Sequence, residues 1–226
     1  MSTDTLISPH LVQQFNQAAA LARESRFEQS LAAWEVLLGR QDGKSVITGD
    51  FLGQCMMRKA WVLMDLERWQ QAREVLEDKV LEACLGQFST ANLYEYFFSY
   101  ANVLGNLRDI SGMDRAFSFA MRTAAEGLAD HRRMRHCWNN LFFWAEKAGA
   151  WKYLQTEAAY CVTYARNQGD QQLETIAKLN RAMALHRQGR MQKAARIVEP
   201  IRRRALRDAD ADVLRRCEEA MKDETQ

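Results

Sequence analysis

The sequence predicts an all-α protein built from a repeated helix-turn-helix unit. Three observations carry that prediction: a motif recurring five times at nearly constant spacing, apolar residues in helical periodicity, and only two prolines in 226 residues. In the motif, a loop carrying Gly or a charge leads into a helix rich in aromatic residues and alanine. It reads Ser25-Arg26-Phe27-Glu28-Gln29-Ser30, Leu66-Glu67-Arg68-Trp69-Gln70-Gln71-Ala72, Leu107 to Met113, Gly149-Ala150-Trp151-Lys152-Tyr153-Leu154, and Gly189-Arg190-Met191-Gln192-Lys193-Ala194. With Ser30, Ala72, Met113, Leu154 and Ala194 as anchors, successive differences in sequence number are 42, 41, 41 and 40. A period of this length indicates a helical solenoid, a fold whose stacked units present an extended binding surface.

Each unit pairs a first helix of mixed apolar periodicity with a second whose apolar residues fall about four and seven positions past the anchor. Those positions hold Trp34 and Leu37, Leu76, Phe117 and Ala120, Ala158 and Cys161, and Val198 and Ile201. The units fall at about 9–45, 50–88, 91–128, 132–168 and 171–206 of a single repeat domain, 1–226. In the third unit Ala116 competes with Met113 as anchor, which leaves its register open. Breakers separate the units at Gly39 to Gly49, Gly86 to Thr90, Gly127 to His131 and Asn167 to Asp170. Residues 208–222 alternate apolar and charged positions as a final amphipathic helix, a cap for the last unit with dimerisation as its alternative role.

A small residue on the first helix, Gly or a polar residue in the turn, Ala opening the second helix and an aromatic four positions later together resemble the tetratricopeptide repeat. The resemblance covers residues 9 to about 206. It is clearest from Leu179 to Ile201, with Ala182, Leu185, Gly189 and Ala194 in place, and from Arg135 to Cys161, with Trp138, Leu141, Gly149 and Trp151. It implies a right-handed α-α superhelix, a long-period variant because the usual repeat is about 34 residues. Extra helical turns or longer linkers must account for the difference.

The same resemblance implies that first helices line a concave groove. Carried over position by position, the groove would be lined by Met57, Trp61, Phe98, Asn102, Asn139, Phe143, Lys147, Asn180, Met183 and His186, with Gln54, Glu95 and His136 as further contacts. Asn102, Asn139 and Asn180 fall at neighbouring register positions of successive units, and an amide both donates to and accepts from a peptide backbone. Trp61, Phe98 and Phe143 would hold apolar side chains. The competing reading is structural: Asn is tolerated on helix faces, and aromatic runs such as Tyr94 to Tyr100 and Trp138 to Trp144 are core packing between units.

No signature of chemistry accompanies the repeat. The sequence has no glycine-rich phosphate loop, no Gly-x-Ser-x-Gly elbow and no His-Glu-x-x-His helix, so catalytic, cofactor and metal sites are not expected. The five cysteines are scattered without a Cys-x-x-Cys pair, as expected of reduced buried thiols. The start of the chain lacks a leader pattern and no window spans a bilayer, which together with the thiols suggests a cytoplasmic protein. The net charge of +2 hides a basic end: Arg187 to Arg216 holds ten Lys and Arg against four Asp and Glu. The expected function is a non-enzymatic scaffold holding a protein or peptide segment. The alternatives are assembly through homodimers and, more weakly, association with RNA through the basic end, where a solvated face is the plainer reading.

Overall fold

The computed structural model describes residues 8–39 and 49–222, so most of the first linker, Gly39 to Gly49, lies outside the described residues. Among the described residues there are twelve α-helices and no strand. They are α1 (Pro9–Arg23), α2 (Phe27–Gly39), α3 (Gly49–Asp65), α4 (Trp69–Leu76), α5 (Lys79–Cys84), α6 (Thr90–Asn106), α7 (Ile110–Arg122), α8 (His131–Lys147), α9 (Trp151–Asn167), α10 (Gln171–Arg187), α11 (Met191–Arg207) and α12 (Ala211–Ala220). The chain divides into two compact units, Met1–Met134 and Arg135–Gln226.

The turn inside each repeat has one design. Ser25, Glu67, Arg108, Gly149 and Gly189 all take the left-handed conformation, with φ between 57° and 74°. The next residue's N–H then reaches back five residues: Arg26 to Leu21 (2.9 Å), Arg68 to Leu63 (2.8 Å), Asp109 to Leu104 (2.9 Å), Ala150 to Ala145 (2.9 Å) and Arg190 to Leu185 (2.9 Å). This is the Schellman closure, which satisfies carbonyls that a helix end would leave bare. The five anchors each lie five residues past the left-handed residue, and all are fully buried. Arg108 therefore settles the third unit on Met113 rather than Ala116.

The long period is helical. Helices α8 to α12 start at His131, Trp151, Gln171, Met191 and Ala211, a constant step of twenty. The step is constant because each of the first four helices has 17 residues and each connection has three. Two such helices and two such turns give a repeat of about 40 residues, so the excess over the usual repeat of about 34 is close to one extra turn per helix. A second marker follows the same period: Asp130, Asp170 and Asp210 each sit after a left-handed Ala129, Gly169 or Ala209. Each Asp caps the helix it precedes, accepting from Arg132, Leu173 and Val213 N–H at 2.9, 2.9 and 3.0 Å.

In the first unit, helices pair as α1 with α2, α3 with α4 and α6 with α7, and the first helices α1, α3 and α6 contact in sequence. Its core includes Trp34, Leu37, Leu76, Leu81, Leu104, Met113 and Phe117, all less than 2% exposed. In the second unit α9, α10, α11 and α12 pack consecutively, and α10 also contacts α12. The final helix thus occupies the register of a first helix. Its Cys217 and Ala220 are buried, so its apolar side is turned inward.

Candidate binding faces on the first helices

In the first unit the face is built on α3 and α6. Met57 is buried at 3% exposure and belongs to the core. Trp61, one turn further along α3, is half-buried and its Nε1 donates to Ser99 Oγ of α6 at 2.6 Å. The Arg58 guanidinium lies 4.3 Å from the Trp61 ring centroid. Its pKa is lowered from the usual value by loss of solvent, with Glu95 opposing the shift and Arg23 adding to it. Phe98 is half-buried, stacked on Tyr94 at 5.7 Å and edge-on to Phe117 at 6.0 Å. Asn102 is buried and its amide donates to the Phe98 carbonyl of its own helix at 2.7 Å. Of the further contacts, Gln54 donates to Asp50 at 2.7 Å and Glu95 pairs with Arg133 at 3.6 Å.

In the second unit, α8 presents Asn139, Phe143 and Lys147 at steps of four, all exposed. Phe143 keeps 46% of its surface exposed. It meets Trp144 edge-on at 4.8 Å, and Lys147 Nζ lies 4.8 Å from its centroid. On α10, Asn180 is half-buried and its amide donates to Ile176 O at 2.9 Å, whereas Met183 and His186 are buried at 9% and 8% exposure. A cleft of about 330 Å³ between α10 and α12 is lined by Asn180, Met183, Arg187, Arg216 and Glu219. At its edge, burial raises the Glu146 pKa, opposed by Arg187 and reinforced by Glu219.

The ten sequence-selected residues therefore divide. Trp61, Phe98, Asn139, Phe143, Lys147 and Asn180 keep surface on a first helix, while Met57, Asn102, Met183 and His186 are buried. Asn102 and Asn180 spend an amide proton on their own helix, so the three Asn residues are not equivalent. Sequence reading missed Arg58, whose place over Trp61 depends on a rotamer rather than on spacing. It also missed the Asp130, Asp170 and Asp210 series, although a regular step between Asp residues that follow Ala or Gly was visible.

Among the described residues no three His, Cys, Asp or Glu side chains are grouped to hold a metal ion. All five cysteines are buried free thiols, and burial pushes the Cys55 thiol up to about 12. No described helix is long and apolar enough to cross a membrane.

Five helix pairs, each closed by a Schellman turn at a near-constant period, make this a tetratricopeptide-like helical repeat fold over the described residues. The fold matches crystal structures of tetratricopeptide-like repeats from a Podosopora anserina putative kinesin light chain. One superposes with a TM-score of 0.68 at 14% identity, covering 90% of this chain and 97% of that one. A point variant of the same repeats gives 0.67 at 14% identity, with 89% and 97% covered. No protein-family model and no curated protein sequence matches this chain.

Proposed function

We propose that the protein is a non-enzymatic cytoplasmic scaffold that holds a protein or peptide segment along the faces of its first helices. The observation that carries this reading is the α8 stripe: Phe143 lies 46% exposed between Asn139 and Lys147 on a helix whose other rings, Trp138, Phe142 and Trp144, are buried. An aromatic left outside a helix so rich in buried rings is a hot-spot anchor in waiting, with an amide and an ammonium placed to take backbone and carboxylate groups beside it. In the first unit, Trp61 and Phe98 supply comparable half-buried aromatic surface.

The test is affinity capture with wild type beside an Asn139→Ala/Phe143→Ala variant, both substitutions at exposed positions. A polypeptide retained by wild type and lost by the variant, with a drop in affinity of about tenfold to a hundredfold (about 1.4–3 kcal/mol), supports the reading. Equal retention by both proteins removes α8 from the binding face.

A further inference from the structure

The side of the second unit where α9, α10 and α11 meet carries a different chemistry from the exposed face of α8. A cleft of about 310 Å³ opens between α9, α10 and α11, walled by apolar Val162, Ile197, Pro200 and Ile201 and by the cations Arg166, Lys178, Arg181 and Arg196. Glu174 takes two of these, accepting from Arg166 at 2.8 Å and Lys178 at 2.7 Å. Among the described residues Arg181 and Arg196 have no such carboxylate, and Arg181 Nε is buried without a hydrogen-bond partner. A buried donor left in this condition costs free energy, and an oxyanion in the cleft would recover it.

The cleft continues along the outer side of α11. Arg196, Arg203 and Arg207 fall at steps of seven and four residues on one exposed strip, sharing a shallow depression with Ala195, Glu199 and Pro200. Over a helical rise of 1.5 Å per residue they span roughly 16 Å. Glu199 offsets Arg203 through a pair at 2.7 Å, while exposed Lys193 adds positive charge near the start of the helix.

We propose that this cleft and strip dock the phosphodiester backbone of a nucleic-acid duplex. A single small anion would fill the cleft but leave the strip unused. A duplex places phosphates densely enough along its length to meet several arginines at once. The strip's apolar surface is Ala195, Pro200 and the single exposed Leu206 set among arginines, whereas a protein interface needs a buried apolar centre and a bilayer needs several inserted aromatic or leucine side chains. No aromatic ring lines the cleft or strip, so recognition follows the backbone and not the base sequence.

Fluorescence anisotropy with a labelled duplex of about 20 base pairs, as DNA and as RNA, tests this across about 50 to 200 mM salt. Engagement of Arg181, Arg196, Arg203 and Arg207 predicts a log–log salt slope near −3.6, about a hundredfold loss of affinity over that range. R181Q/R196Q and R203Q/R207Q should each reduce the slope by about 2 and weaken binding by about tenfold or more at low salt. The second pair lies wholly on the exposed strip, so its effect is independent of any folding defect in the first, which circular dichroism reports. Lys79→Gln, at an exposed position of α5, and Asn139→Ala/Phe143→Ala should leave duplex binding unchanged, which separates this surface from the α8 face. Absence of duplex binding at low salt, binding by both arginine variants as tight as that of wild type, or equally tight binding of polyglutamate or phosphatidylserine vesicles overturns the proposal.

Discussion

The second unit keeps one constant step through α8 to α12, whereas the first breaks its step at the second helix of its second repeat. Where α9 and α11 run for 17 residues, α4 stops after eight at Leu76, and α5 restarts at Lys79. The break is a substitution of partners. The Val80 N–H, which a continuous helix would give to the Leu76 carbonyl, is instead accepted by the Asp78 side chain at 2.7 Å. The carbonyl so released accepts from Tyr96 Oη at 3.0 Å, and Tyr100 Oη donates to Glu77 at 2.6 Å. Freed from α4, α5 packs on α3, where Gly53 makes room for the Phe88 ring: a Cβ there would collide with it. An interruption is tolerated in a repeat when each polar group it exposes finds another partner.

The capping aspartates show the same contrast in charge. Asp170, with a side chain only 5% exposed, accepts two N–H groups from Arg135 at 2.6 and 3.1 Å. One repeat earlier, Glu95 stands where Arg135 does and Asp130 where Asp170 does. Two carboxylates there would repel, and Arg133 bridges them, at 3.6 Å from Glu95 and 3.8 Å from Asp130. The repeat keeps an ion pair by adding a third residue.

Asp170→Ala should break the contrast most strongly. It removes the α10 cap and the buried half of the pair, and unfolding in urea should show a loss of about 3 kcal/mol. Asp130→Ala, at a half-buried cap, should lose about 1 kcal/mol by the same measurement. A comparable loss for both would mean that the burial of Asp170 contributes little.

Tyr96→Phe comes next. It removes the hydroxyl that occupies the Leu76 carbonyl, and the expected loss is about 1–2 kcal/mol at neutral pH. The phenol is held protonated there, its pKa raised to about 12 by burial with Glu82 and Glu77 adding. The folded pKa is the higher one, so this contribution is complete below the unfolded tyrosine value of about 10 and fades as pH rises from there through about 12. A Tyr96→Phe penalty that is unchanged across that window would assign it to packing alone.

The turns give the smallest and most symmetrical comparison. Gly149 and Gly189 hold the left-handed position in the second unit, and Ser25, Glu67 and Arg108 hold it in the first. Gly189 has open space around its Cα, so Gly189→Ala should cost only backbone strain, about 1 kcal/mol, while Arg108→Gly should gain up to about 1 kcal/mol. Thermal midpoints moving in the same direction for both variants would show that the side chain of Arg108, not its φ, governs that turn.

The sequence alone determined the helical class, the period and four of the five anchors, because burying one stripe of each helix forces apolar residues onto a fixed spacing that survives any choice of side chain elsewhere, while the third anchor waited on the left-handed turn at Arg108. Asn139, Phe143 and Lys147 share one exposed face of α8, because steps of four share a face whatever the neighbours do. Tertiary structure decided what spacing cannot encode. Met57, Met183 and His186 share the register of groove residues yet are buried, since neighbouring helices cover them. The α4 break was equally hidden: Leu76 kept its helical position, and only the arrival of Tyr96 from a later helix made it possible to release the next turn.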